Sequence, residues 1–162
     1  MRNKRKKTIK AGHAVVSTAG VIGYVFGILL CIVIGRAGIK LARESADIDT
    51  LCRILLWQAI FFIIILASGH IGHKTAICAT ALFIRGVLAG YSSTYLLRMQ
   101  ADLLYFMHTA VSVLVMTALT SAARVTMEKR GVERAVCVFF LLGITQAAVI
   151  VFYLTILAIL GI

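Results

Sequence analysis

One apolar stretch with a single charge near its middle decides the fold of this chain. It spans residues 74–94, reads KTAICATALFIRGVLAGYSST, and holds Arg85 inside it. As a helix rising about 1.5 Å per residue, it is long enough to cross a bilayer core of about 30 Å. A guanidinium at that depth is costly unless it faces protein, water or a lipid headgroup. The stretch therefore predicts a transmembrane helix whose charge needs a partner.

Composition extends this prediction to the whole chain. Of its 162 residues, 61% are hydrophobic and 14% are charged, and none is proline. Soluble domains are about half apolar and about a quarter charged, so a soluble protein of this size has too little interior for so much apolar surface. The sequence predicts an all-α, polytopic transmembrane helical bundle that forms one domain over residues 1–162.

Five apolar stretches are candidate spans. They lie at about residues 14–35, 51–68, 75–97, 103–123 and 136–160. Each is long enough for a bilayer core, and backbone groups in lipid must be satisfied within the segment, so all five should be helices. The polar segment 36–50, between the first two spans, is predicted to be either a short amphipathic surface helix or a plain loop.

The basic residues predict the orientation. The tail over residues 1–12 carries six Lys or Arg, and four more lie between the fourth and fifth spans: Arg124, Lys129, Arg130 and Arg134. Cytoplasmic loops are rich in these residues, so we expect a multi-pass protein of the cell membrane with a cytoplasmic N-terminus and an outer C-terminus. The basic segment 36–53 opposes this orientation, and we expect the tail to dominate.

Charge and motifs exclude several functions. The formal net charge is +11, which would indicate nucleic acid in a soluble chain. Here the basic residues sit at membrane edges and the aromatic residues inside apolar stretches, so we expect the lipid bilayer as a partner and no nucleic acid. The sequence has no G-x-S-x-G, H-E-x-x-H, P-loop or paired intramembrane carboxylates, and we expect neither enzyme activity nor a cofactor.

Arg85 is the leading candidate for a site residue. No predicted span carries an Asp or Glu to pair with it. Gln146 should lie at a similar depth in the fifth span and is a candidate acceptor. Other possible acceptors are Gln58, Thr80, Thr117 and Thr145. Arg85 either faces a protein-lined cavity or a partner's carboxylate, or it snorkels or donates to backbone carbonyls of neighbouring helices.

Small residues form two stripes at helical spacing. They are Gly20, Gly23 and Gly27 on the first span and Gly86, Gly90, Ser93 and Thr94 on the third. Such stripes allow two helix backbones to approach closely within a bilayer. They indicate either packing inside the protein or contact with another protein's helix.

Histidines point less clearly to chemistry. One predicted membrane edge holds His13, His70, His73 and Cys137. Their spacing matches no metal motif and no carboxylate supports them, so we expect no metal site. His108, near the start of the fourth span, is interpreted as a packing residue rather than a proton carrier.

The third span also carries a family resemblance. The segment Gly69-His-Ile-Gly72 is followed by Phe83-Ile-Arg-Gly86-Val-Leu-Ala-Gly90-Tyr-Ser92. A glycine-rich approach, a basic residue with glycine, three apolar residues, and then glycine, an aromatic residue and a hydroxyl resemble the stage II sporulation protein M family. The resemblance puts Arg85 at that family's basic position and Gly86, Gly90, Tyr91 and Ser92 at the positions after it.

The resemblance implies a role without catalysis. Members of that family are membrane scaffolds that bring cell-wall hydrolases to the engulfing septum of sporulating bacteria. The matched residues would then contact a partner or another helix. We therefore expect an integral membrane scaffold or assembly subunit that binds other membrane proteins, cell-wall hydrolases or further copies of itself. The alternative is a small transporter or channel-like subunit in which Arg85 faces an anionic substrate.

Overall fold

Five helices make up the protein in a computed structural model that describes residues 2–34, 48–98 and 102–160. They are α1 (Arg2–Ile34), α2 (Ile48–Ser68), α3 (Lys74–Arg98), α4 (Asp102–Glu128) and α5 (Gly131–Leu160). Each contains a segment long and apolar enough to cross a bilayer. No strand occurs in the described ranges, and the predicted all-α bundle of about five spans is confirmed.

Each helix begins before its predicted span, and the difference is largest for α1 and α5. The backbone of α1 is helical from Arg2, so the basic tail continues the first helix rather than preceding it. Only Lys129 and Arg130 separate α4 from α5, because α5 begins at Gly131. Gly131 has a φ of 59°, a left-handed conformation that glycine adopts without steric strain. Residues 36–47 of the predicted surface segment lie outside the described part of the chain. The last residues of that segment, 48–50, belong to α2.

The helices alternate in direction, and α4 is the central one. It packs against each of the other four, whereas α1 packs mainly on α3 and α5 packs on α4 and α2. Lys74 Nζ donates to the carbonyl of Met127 at 3.1 Å, which brings the start of α3 beside the end of α4. The start of α1, residues 69–73 and residues 129–130 therefore share one end of the bundle, here named the basic end.

The core lies mainly between α2, α3 and α4, and α1 and α5 also contribute side chains to it. Its largest fully buried apolar side chains are Phe62, Ile65, Leu82 and Leu119, followed by Val16, Val115 and Val138. The outer faces are apolar as well: Val33, Phe139 and Phe140 are each more than half exposed. Soluble monomers rarely expose such continuous apolar surface, so these faces fit a lipid environment and the chain is a multi-pass membrane protein.

A candidate functional site in the middle of the membrane

The glycines of α1 and α3 face each other inside the protein. A Cβ added at Gly23 would meet the backbone oxygen of Phe83, and one added at Gly86 would meet the backbone oxygen of Gly20. Gly27 and Gly90 are equally close to the opposite backbone. Because no side chain separates the two helices at these positions, α1 and α3 form a small-residue interface of the kind that stabilises parallel helices in a bilayer.

This interface uses the two glycine stripes internally. Gly86 and Gly90 are buried, while Tyr91 and Ser92 next to them are half-buried. The hydroxyl of Ser92 donates to the carbonyl of Leu88 at 2.8 Å, within its own helix. Contact of Tyr91 and Ser92 with a partner protein stays a prediction.

Arg85 lies on a different face of α3, near the midpoint of the helix, and is half-buried. His108 of α4 lies near Arg85, and its ring is close to the backbone of Ala89, one turn further along α3. The Nε2 atom of His108 also lies 3.4 Å from the hydroxyl of Ser112. The side chain beside the guanidinium is thus an imidazole, which brings no negative charge.

Gln146 of α5 makes a hydrogen bond to α2. Its amide nitrogen donates to the backbone carbonyl of Leu55 in α2 at 3.4 Å, which joins α5 to α2. Its role as an acceptor for Arg85 stays a prediction. His108, interpreted from the sequence as a packing residue, is the polar side chain that the structure places beside Arg85.

Further buried polar groups lie near the depth of Arg85. Ser68 Oγ and Cys78 Sγ are 3.2 Å apart, which aligns the antiparallel helices α2 and α3 at that point. Counting about ten residues, or about 15 Å, along each helix places Gln58 of α2 level with Ala89 of α3. Gln58 is 1% exposed, and neither of its amide atoms has a hydrogen-bond partner.

Two hydroxyls near this depth are also buried and without partners. They belong to Ser93, one turn beyond Ala89 in α3, and Thr109, next to His108 in α4. We name the following set the mid-membrane polar layer: Gln58 and Arg85 at mid-span, with Ser93, His108, Thr109 and Ser112, which lie further toward the far ends of α3 and α4. An unpaired buried polar group costs about 1–3 kcal/mol, so the layer as described holds hydrogen-bonding capacity that the protein itself does not satisfy.

The basic end contains a buried cation that sequence reasoning placed in a loop. Arg134, in the first turn of α5, is 5% exposed, and its Nη2 lies 2.7 Å from His70 Nε2. A Cβ at Gly69 would overlap the guanidinium, so the glycine makes room for it. A cation at this position favourably meets the carbonyl end of α2. The available signal was Gly69, a typical residue just after a helix end.

Other charged groups at the basic end are at least partly exposed. Lys129 donates to Glu133, and this hydrogen bond raises the pKa of the lysine. Arg124 Nε donates to Glu128 at 3.1 Å. Within the described part of the chain, no three His, Cys, Asp or Glu side chains cluster in a way that could hold a metal ion.

Comparison with known proteins adds no relative. No protein-family model, curated protein or solved structure matches the chain. Its class follows from its own helices: it is a multi-pass helical membrane protein with an internal α1–α3 glycine interface and a polar layer at mid-span.

Proposed function

We propose that this protein is a non-enzymatic integral membrane scaffold or assembly subunit that works by lateral association with other membrane proteins. The observation that supports this most strongly is the half-buried position of Arg85 at the midpoint of a membrane span. The side chain is only partly buried, at a depth where lipid is hydrocarbon. A carboxylate from a partner helix would relieve a penalty of several kcal/mol there.

Charge complementarity defines the partner. His108 cannot neutralise the guanidinium, and the acidic residues within the apolar segments, Glu128 and Glu133, lie at the basic end rather than at the depth of Arg85. The partner that fits is a membrane-spanning helix with an acidic or strongly polar side chain at mid-depth. The resemblance to the stage II sporulation protein M family extends this proposal to cell-wall hydrolases and other proteins of the engulfing septum. Association of two copies is the homo-oligomeric form.

Orientation belongs to the same proposal. The start of α1 and the α4–α5 connection share the basic end, as the 3.6 Å contact between His13 and Glu128 shows. Both segments are rich in Lys and Arg, so the positive-inside rule places this end in the cytoplasm. The C-terminal end of α5 then faces the outside of the cell, and the protein belongs to the cell membrane.

The test is a pull-down of tagged protein from its native membrane in mild detergent, read by mass spectrometry. We expect co-isolated membrane proteins or cell-wall hydrolases with the wild type and with Arg85→Lys, and their loss with Arg85→Leu. Arg130→Leu, which removes an exposed charge at the basic end, is the control and should retain them. Partner-free protein in every sample, or full retention by Arg85→Leu, would contradict the scaffold proposal.

A transporter subunit is the second candidate, and the mid-membrane polar layer favours it. The unpartnered atoms of Gln58 and Ser93 could satisfy water or an anion that also meets Arg85. In that case Arg85→Leu keeps its co-isolated proteins and loses anion flux in proteoliposomes. The two candidates therefore separate on one variant measured in two assays.

A further inference from the structure

A cleft between α1 and α4 opens at the basic end. It has a volume of about 170 Å³ and is lined by His13, Val16, Ser17, Thr120, Ser121, Arg124 and Met127. On α4 it occupies the last two turns of the apolar segment, which ends at Glu128. On α1 it lies close to the start of the apolar segment at Ile9. The cleft is therefore at the level of the lipid headgroups.

The polar lining of this cleft suits an anion with several oxygens. His13 Nε2 is buried and has no hydrogen-bond partner; the nearest carboxylate oxygen, on Glu128, is 3.6 Å away. Ser17, which is exposed, adds a hydroxyl, and Arg124 adds a guanidinium. The Nε atom of Arg124 donates to Glu128 at 3.1 Å, and the guanidinium carries further N–H donors.

The charge around the cleft is also favourable. Glu128 is the acidic group that contacts its lining, through Arg124 and His13. Lys10 and Arg130 are exposed at the same end, and the chain as a whole has a net charge of +11. Each basic residue near a membrane surface attracts anionic lipid, so the single carboxylate does not reverse the sign of the site.

An exposed lane leads from the cleft toward the middle of the membrane. At helical spacing from Ser121, the exposed residues of this part of α4 are Thr117, Val113 and Ala110. Val113 is 61% exposed. A polar pocket at headgroup depth thus continues into an outward-facing, mainly apolar track on the same helix.

We propose that this cleft binds the phosphate of an anionic phospholipid, with its acyl chains along the α4 lane. Basic pockets between helices at the cytoplasmic side bind such headgroups. The His13 imidazole and the Arg124 guanidinium donate to the phosphate oxygens, and the hydroxyls of Ser17 and Ser121 lie at the rim. The lane distinguishes a lipid from free phosphate, because only a lipid has chains to cover Val113 and Ala110. The proposal rests on the orientation proposed above but is independent of Arg85 and of the scaffold role.

The test is native mass spectrometry of the full chain in detergent, with phosphatidylglycerol or phosphatidylcholine added at equal concentration. We expect the wild type to retain one phosphatidylglycerol molecule in preference to phosphatidylcholine. His13→Ala with Arg124→Gln should weaken this retention by about fivefold or more, the effect of removing about one basic group. Arg130→Gln removes the same charge from the same end without touching the cleft and should retain the lipid. Equal losses in both variants would overturn a defined site.

Two further arms keep the result decisive. Ser17→Leu fills the cleft without changing charge, so it should also lose the lipid while keeping the helical circular dichroism signal of the wild type. Retention of phosphatidylglycerol by a folded Ser17→Leu protein would contradict the proposal. Inorganic phosphate at millimolar concentration should not raise the Tm of protein purified in phosphatidylcholine. If it does so as strongly as phosphatidylglycerol, the cleft binds a soluble phosphate and the lipid assignment is wrong.

Discussion

The α1–α3 interface and the α2–α4 side of the bundle are held together in different ways. In the former, glycines bring two backbones into contact, and Gly23 and Gly86 have no side chain between them and the opposite helix. In the latter, large side chains such as Phe62 and Leu119 fill the space, and Gln58 is buried among them without a hydrogen-bond partner. One interface is close and apolar, and the other is wider and partly polar.

The difference shows where the protein can tolerate change. In a bilayer no hydrophobic force drives helices together, so α1 and α3 depend on close packing alone. A backbone carbonyl cannot move aside for a new methyl group, whereas a core of flexible side chains can partly repack. The mid-membrane polar layer contains side-chain atoms without hydrogen-bond partners. We propose that function belongs to this layer rather than to the glycine interface.

The largest effect is expected from Gly23→Ala. The new methyl group would overlap the backbone oxygen of Phe83, so α1 must move away from α3, at about 2–3 kcal/mol of stability. Unfolding in mixed micelles, followed by circular dichroism, measures the change. Gly143→Ala is the matched control: its Cβ would meet nothing within 4 Å, and alanine should add up to about 1 kcal/mol. Equal behaviour of the two variants would mean that α1 and α3 are not in backbone contact.

Arg134→Met tests how much the contact between α5 and the end of α2 contributes to stability. The substitution removes the 2.7 Å contact with His70 and the cation at the end of α2, and we expect a loss of about 1–3 kcal/mol. The same unfolding assay applies. Arg130→Met, at an exposed position one turn earlier, should change little, and a similar loss there would show that only net charge at the basic end matters.

Gln58→Leu sharpens the comparison because the direction of the stability change depends on whether the polar layer is dry. If the polar layer is dry, leucine removes two unpaired amide atoms and stabilises the protein by about 1 kcal/mol. If water or an anion occupies the layer, the same substitution destabilises it. Gln146→Leu is the reference, because it breaks a hydrogen bond to Leu55 and should cost about 0.6 kcal/mol. Stabilisation by Gln58→Leu with unchanged flux would speak against the transporter candidate.

The smallest effect is expected from Glu133→Gln at the exposed basic end. Its hydrogen bond raises the pKa of Lys129 above the ordinary lysine value, so the pair stabilises the folded protein below that value, and the contribution disappears as pH rises through the raised pKa. The variant should have a slightly lower Tm at pH 7. The difference from wild type should begin to shrink above about pH 10.4 and should vanish once the pH exceeds the raised pKa of Lys129. A difference that persists at higher pH would mean that Glu133 acts through another contact.

Much of the fold could be predicted from hydropathy. The five spans and the all-α class follow from apolar stretches of bilayer length, and the facing of Gly23 by Phe83 is what small residues at helical spacing indicate. Helix ends were less predictable: charged residues shortened the fifth predicted span, although α5 starts at Gly131 and buries Arg134. The neighbour of Arg85 could not be predicted, because hydropathy does not state which helices are adjacent.

The order in which the spans leave the ribosome limits when the glycine interface can form. Gly23 and Gly86 are separated by about sixty residues, which take several seconds to synthesise at about 5–20 residues per second. During that interval α1 has been synthesised, while the surface of α3 that receives it has not yet been made. The exposed glycine face of α1 is thus a nascent-chain intermediate open to capture by other helices, and its lifetime is set by translation rather than by packing.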